Sequence, residues 1–136
     1  MSPRRPFRGI GSARKTRRTL ERGGTGLSAE LNHALGTWPR VKITPMFGRW
    51  GYFVGPRLFA CFPLRPKDHD LWIRLGPEEQ RRALAAGCTP HRRMSATGWV
   101  ECRVDGPRDV GRSLRWLRRA YDAARVAVER EEREGA

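Results

Sequence analysis

The sequence has few cysteines and no long hydrophobic run, and each shortage excludes a class of protein. Its cysteines, Cys61, Cys88 and Cys102, include no Cys-x-x-Cys pair, and its three histidines complete no zinc-ligand spacing. We therefore expect reduced thiols, a cytoplasmic location and no metal. No apolar run approaches the ~18–20 residues that span a bilayer, and the basic N-terminus lacks the apolar stretch of a secretory signal, so no membrane partner is expected.

Phosphate-binding loops are missing as well. Gly48 and Gly51 flank Arg49 and Trp50, but their spacing fits neither the dinucleotide fingerprint nor the Walker pattern, and no helix follows them. We interpret both as turn or bulge glycines, and we expect no cofactor.

No arrangement of residues predicts catalysis. Cys61 or Cys102 could act as a nucleophile with His69 or His91 as its base, but both cysteines lie in predicted strands, where a small buried side chain is the simpler interpretation. Residues 68–70, Asp-His-Asp, could bind a metal or exchange protons, but a solvated turn is the favoured interpretation. An enzyme therefore stands as the third alternative, without catalytic residues.

What the chain does have is positive charge, +14 in 136 residues, nearly all of it from arginine. Residues 1–27 hold eight basic side chains against Glu21 alone, a net charge of +7. That segment is rich in glycine and poor in apolar residues, which predicts a disordered basic tail. Residues 28–136 are predicted to form a single domain.

The folded part is predicted to be α+β, in the order α-β-β-β-β-α-β-α. Alternating apolar and polar residues predict about five strands, and short links between the early ones favour an antiparallel sheet with the helices on one face. The strands are expected within 41–44, 50–54, 58–62, 71–75 and 99–104. Ser28 and Gly36 bound the first helix, Gly76 and Gly87 the second, and Pro107 begins the third. Exposed sheet edges make a homodimer a further expectation.

The final helix carries an apolar seam, formed by Val110, Leu114, Leu117, Tyr121, Ala124 and Val128. We expect this seam to pack on the strand residues Val100, Cys102 and Val104. Trp116 lies off the seam, and packing against the sheet is its simplest role.

Basic residues at both ends of the chain are candidates for contact with nucleic-acid phosphates. These candidates are Arg14, Lys15, Arg17 and Arg18 of the tail and Arg112, Arg115 and Arg119 of the final helix, which share one helix face. Trp50, Trp72 and Trp99 would add stacking on bases if they are exposed. An ordinary solvated basic face is the alternative interpretation.

Several tracts together resemble the N-terminal domain of the TfoX/Sxy family, over about residues 28 to 126. They are Met46-Phe47-Gly48, Gly51-Tyr52-Phe53-Val54, Leu58-Phe59-Ala60, Leu71-Trp72-Ile73-Arg74-Leu75 with a Pro-Glu-Glu helix start, and Gly98-Trp99-Val100-Glu101. The same region is similar to two neighbouring small families, the MmcQ/YjbR proteins and the group labelled "luciferase domain".

The resemblance implies a small α+β domain without a cofactor or catalytic residues. For the TfoX group it implies regulation of competence genes, although the usual C-terminal TfoX domain has no counterpart here; for MmcQ/YjbR it implies DNA binding. We therefore expect a non-enzymatic cytoplasmic binding or regulatory domain, with a nucleic-acid-binding accessory protein or a luciferase-domain-family protein as the alternative.

Overall fold

The computed structural model of the chain describes residues 26–65 and 68–135. Three α-helices, six strands and one 3₁₀ turn lie within these ranges. In chain order they are α1 (Gly26–Gly36), β1 (Val41–Met46), β2 (Arg49–Val54), β3 (Arg57–Pro63), β4 (Asp70–Arg74), α2 (Pro77–Ala85), β5 (Thr89–Pro90), the 3₁₀ turn (Ser95–Thr97), β6 (Trp99–Arg103) and α3 (Pro107–Gly135). The predicted tail lies outside the described residues except for Gly26 and Leu27, which are helical.

The strands form one antiparallel sheet in the order β1-β2-β3-β4-β6-β5, and the helices pack on one of its faces. The predicted α+β class and helix placement are confirmed. The sheet has six strands in the described chain rather than about five, because Thr89 and Pro90 pair with Glu101 and Val100. A two-residue strand that contains proline shows no alternation, so the sequence gives no signal for it.

Two tight turns connect the first three strands. Gly55 and Pro56 join β2 to β3, which is one of the short links predicted between the early strands. Phe47 and Gly48 join β1 to β2 with φ of 51° and 75°, and two successive positive φ values are what a type I′ hairpin requires. Gly48 is thus a turn glycine. Gly51 does not lie in a turn: it is inside β2, next to the register shift between Tyr52 and Phe53, and a Cβ there would lie 2.6 Å from Met46 Sδ.

The core lies between the helices and the face of the sheet that they cover, which we call the covered face. Three aromatic rings meet there: the ring centroid of Phe59 lies 6.5 Å from that of Tyr52 and 6.0 Å from that of Tyr121. The hydroxyl of Tyr52 donates a 2.6 Å hydrogen bond to Asn32 Oδ1, and burial raises the pKa of this phenol. Because the buried hydroxyl has a partner, its burial carries little desolvation cost. The hydrogen bond also joins β2 to α1 and so holds the helix in place on the sheet.

Helix α3 packs along the sheet through the predicted seam. Val110, Leu117 and Tyr121 are buried, while Leu114 is half-buried at the margin. Trp116 is also buried and adds to the core, as predicted. Val100 and Cys102 of β6, and Val104 directly after it, belong to the same core as the seam, which confirms the central packing expectation.

Candidate binding cleft on the open face

The second face of the sheet, which we call the open face, carries no helix of the described chain. Strand alternation places on it the residues that lie between the core residues, including Arg49, Cys61, Trp72 and Trp99. The register sets Cys61 beside Trp72. Several of these side chains are large and apolar, so this face does not have the polar composition of a sheet face that meets only water.

An apolar cleft of about 270 Å³ lies on this face. It is lined by Met46, Phe47, Arg49, Leu58, Cys61, Trp72, Met94 and Trp99. A second, more open hollow of about 540 Å³ shares Leu58, Met94 and Trp99 with the cleft and adds Arg57 and Arg74. The two hollows form one groove, apolar at one end and basic at the other.

Arg49 and Trp72, which line the cleft, form a stack with His91, and we call these three side chains the wall of the cleft. The guanidinium carbon of Arg49 lies 3.6 Å from the centre of the Trp72 ring, and the His91 ring meets that ring edge-on at 4.5 Å. Arg49 also donates hydrogen bonds to the Cys61 carbonyl at 3.3 Å, to an Asp70 carboxylate oxygen at 3.3 Å and to the Asp70 carbonyl. A cation held against an aromatic face and a carboxylate stays in place, which makes this wall rigid.

The segment between β5 and β6 is anchored to the same wall. The Nδ1 atom of His91 accepts hydrogen bonds from the backbone N–H groups of Arg93 and Met94, each at 3.1 Å. This arrangement leaves Nε2 as the nitrogen that carries the proton in the neutral ring. It holds Met94, which is 46% exposed, at the mouth of the cleft.

Phe47 stands at the rim of the cleft and is 94% exposed. Its φ of 51° lies in the left-handed region, which costs a non-glycine residue about 1–2 kcal/mol. A strained backbone and a water-exposed aromatic ring both lower stability. Their coincidence at a cleft makes this surface the candidate binding site.

The arrangement offers no nucleophile with a base. Cys61 is buried, and burial raises the pKa of its thiol, although Arg49 opposes the shift. Neither His69 nor His91 hydrogen-bonds a cysteine in the described chain; His69 Nδ1 lies 3.0 Å from the Val104 carbonyl instead. The nucleophile hypothesis therefore has no geometric support at Cys61.

The expectation of reduced thiols is wrong for two of the three cysteines. Cys88 and Cys102 are joined by a disulfide, with their Cα atoms 4.7 Å apart. They are 14 residues apart in sequence, and only the packing of the segment after α2 against β6 brings them together. Because disulfides are rare in reducing compartments, the cytoplasmic location loses this support and stays a prediction.

The Asp-His-Asp segment is not an isolated solvated turn. Asp70 pairs with Arg49 in the wall of the cleft, while His69 contacts Asp105 at 3.5 Å. Within residues 26–65 and 68–135, no three metal-ligating side chains cluster. The same described part of the chain holds no helix long and apolar enough to cross a membrane.

The predicted phosphate contacts of the tail, Arg14, Lys15, Arg17 and Arg18, lie outside the described residues. On α3, Arg112 and Arg115 are exposed and line one hollow, but Arg112 pairs with Asp109 at 2.7 Å. Arg119 is 3.0 Å from Glu79 of α2, so it serves helix packing. The three arginines therefore do not form one free basic stripe.

The stacking of bases on tryptophans, expected only if the rings are exposed, has little support. Trp50 and Trp99 are 2% and 5% exposed, and one face of Trp72 is covered by Arg49.

The edge strands bear on the predicted homodimer. Strand β1 contains Pro45 and β5 contains Pro90, and proline weakens edge pairing. The dimer stays a prediction.

No protein-family model matches this chain, and none of the curated proteins or solved structures is significantly similar to it. Sequence reasoning missed the cleft and Met94, and it considered His91 only as a candidate base. A signal was present in β3, where Leu58 to Phe62 is apolar at both parities. A strand that is apolar on both sides predicts burial on both faces.

Proposed function

We propose that this protein is a non-enzymatic binding domain, of the regulatory kind that the TfoX resemblance implies, and that the open face is its binding surface. The apolar cleft beside an exposed, strained Phe47 carries this proposal. Such a cleft loses contact with water when a partner fills it, and the rigid Arg49–Trp72–His91 wall needs no reordering on binding.

The partner that fits is an acidic protein segment with one apolar side chain. The cleft takes the apolar group, and the adjoining hollow offers Arg57 and Arg74, neither of which forms an ion pair with another described residue. Glu131 also lines that hollow, so a partner's carboxylates are expected nearer the two arginines than α3. Opposite charge beside an apolar anchor is a common arrangement at interfaces.

The experiment uses a synthetic peptide with one phenylalanine between aspartates, followed by NMR chemical-shift changes across the protein. We expect shifts confined to the open face, with affinity at least about tenfold weaker when serine replaces the phenylalanine or lysines replace the aspartates, since tenfold corresponds to one modest contact. Leu58→Asp, which places a charge in the cleft, should abolish binding, while the exposed Arg81→Gln in α2 should not. Shifts on the covered face alone would contradict the proposal.

The second candidate is sequence-independent nucleic-acid binding, favoured by the net charge of +14 and by the exposed Arg112 and Arg115. Its test is retention on duplex DNA at 50 and 200 mM salt. A phosphate-driven mode must weaken steeply across that range, and removal of residues 1–27 should weaken it further. Retention that is independent of salt would exclude it.

A further inference from the structure

A third hollow lies on the covered side of the molecule, and the disulfide is part of its lining. Its volume is about 340 Å³, and it is formed where α3, the end of α2 and β6 meet. The residues that line it include both cysteines and three arginines: Cys88, Cys102, Arg103, Arg112 and Arg115, with Asp109, Ser113 and Trp116 among the rest. It shares no residue with the groove on the open face.

The two cysteine residues differ in exposure. Cys102 belongs to the core side of β6 and is 6% exposed, whereas Cys88 is half-buried and follows Gly87 at the end of α2. A small molecule in the hollow therefore reaches Cys88 more readily. Thiol–disulfide exchange depends on which sulfur is open to attack, so Cys88 is the expected point of attack and Cys102 the leaving group.

The electrostatics of the hollow favour anions. Its three arginines are exposed, and Asp109 is the only carboxylate among its lining residues. Asp109 pairs with Arg112, Arg103 pairs with Asp105, and Arg115 forms no ion pair within the described residues. Nearby cations stabilise thiolates, both the one that attacks and the one that leaves, and they also attract carboxylates.

We propose that this hollow binds a small thiol that carries carboxylates and that the Cys88–Cys102 disulfide exchanges with it. The thiolate of the bound molecule attacks Cys88 Sγ and forms a mixed disulfide, while the Cys88–Cys102 bond breaks and its electron pair leaves on Cys102 Sγ. A second molecule of the thiol then attacks the ligand sulfur of the mixed disulfide and releases Cys88. The protein gains two electrons, the two ligand thiols become one disulfide, and their two protons end on the cysteines.

The proposal depends on three observations together: a disulfide, a hollow that reaches it and a surplus of guanidinium groups around that hollow. A purely structural disulfide in the core would have no need of the last two. The proposal is independent of the open face, so failure of peptide binding there leaves it unaffected.

The experiment compares two reductants on the oxidised full-length protein with Cys61→Ser, which removes the third thiol. Glutathione is the anionic probe and 2-mercaptoethanol the neutral one, and acid-quenched mass spectrometry follows loss of the disulfide and the mixed adduct. We expect the ratio of the two rate constants, glutathione over 2-mercaptoethanol, to fall about five- to tenfold in Arg112→Gln/Arg115→Gln. The matched control Arg118→Gln, on another part of α3, should leave the ratio unchanged.

Two results would overturn the proposal. One is an equal ratio of rate constants in the parent protein and the double arginine variant, which would mean that the arginines do not select the thiol. The other is that Cys88 and Cys102 of the air-oxidised, folded protein are both alkylated at once, which would mean that no disulfide forms. Measuring a ratio corrects for any general loosening of the fold, because loosening speeds both reductants.

Discussion

The covered and open faces of the sheet are both apolar, but they differ in what surrounds the apolar groups. On the covered face, Tyr52 is fully buried beneath Leu117 and the other core residues of α3, and its hydroxyl has a protein partner. On the open face, Phe47 is exposed in a strained conformation. Buried donors that find no acceptor in the described chain occur on both faces: Arg49 Nε and Trp72 Nε1 on the open face and Trp50 Nε1 in the core.

This contrast makes the open face the candidate surface for recognition. An exposed aromatic residue in the left-handed region lowers stability, and folded domains tolerate such features mainly at functional sites. Most of the free energy of folding is therefore expected from the apolar packing on the covered face. The largest predicted effects on folding therefore lie on the covered face, and the predicted effects on binding lie on the open face.

The largest expected difference comes from truncating one leucine on each side of the sheet. Leu117→Ala removes a fully buried α3 side chain from the core above the covered face and should lower the free energy of unfolding by about 2–5 kcal/mol. Leu58→Ala, at the half-buried cleft, should cost less than about half as much. Urea denaturation with both variants measures the two losses, and equal losses would show that the open face is part of the core.

An intermediate effect is expected from Arg49, whose side chain is 14% exposed. Arg49→Ala removes the stack on Trp72 and the bonds to Asp70, and we expect a loss of about 1–3 kcal/mol in thermal or urea unfolding. Arg49→Lys keeps the charge but not the flat guanidinium, so it should restore less than half of that loss. Full restoration by lysine would mean that charge alone matters.

The smallest change in stability, and the sharpest separation of the faces, is expected from Phe47→Gly. Glycine relieves the positive φ, so the free energy of unfolding should stay constant or rise by up to about 1 kcal/mol. Binding of the aspartate–phenylalanine peptide should nevertheless weaken, since the rim of the cleft is lost. A variant that unfolds more easily would place Phe47 in the packing of the fold.

Much of the covered face could be predicted from the sequence. The alternation of Val100, Cys102 and Val104 and the three-to-four spacing of the α3 seam each indicate one buried side, and the two sides do meet. Turn signals at Gly48 and Gly55 were equally local. Such features depend on neighbours in sequence, and a local pattern is sufficient to specify them.

The open face and the disulfide could not be predicted in the same way. Arg49 meets Trp72 across an intervening strand, and His91 joins them from the segment that follows β5. Cys88 and Cys102 looked like separate thiols because their pairing depends on how α2 docks against β6. Arg119 looked like a free cation, but helix packing places Glu79 beside it.

The sequence by itself determined the α+β class, the order of the main elements and the apolar layer between sheet and helices. The reason is that the spacing of apolar residues within one segment is sufficient to predict which side of that helix or strand is buried. Only the tertiary structure decided which side chains of distant segments share the cleft, which cysteines are bonded and which arginines are paired. Those outcomes depend on strand register and helix docking, and the many long-range contacts that set them are specified jointly rather than by any one stretch of chain.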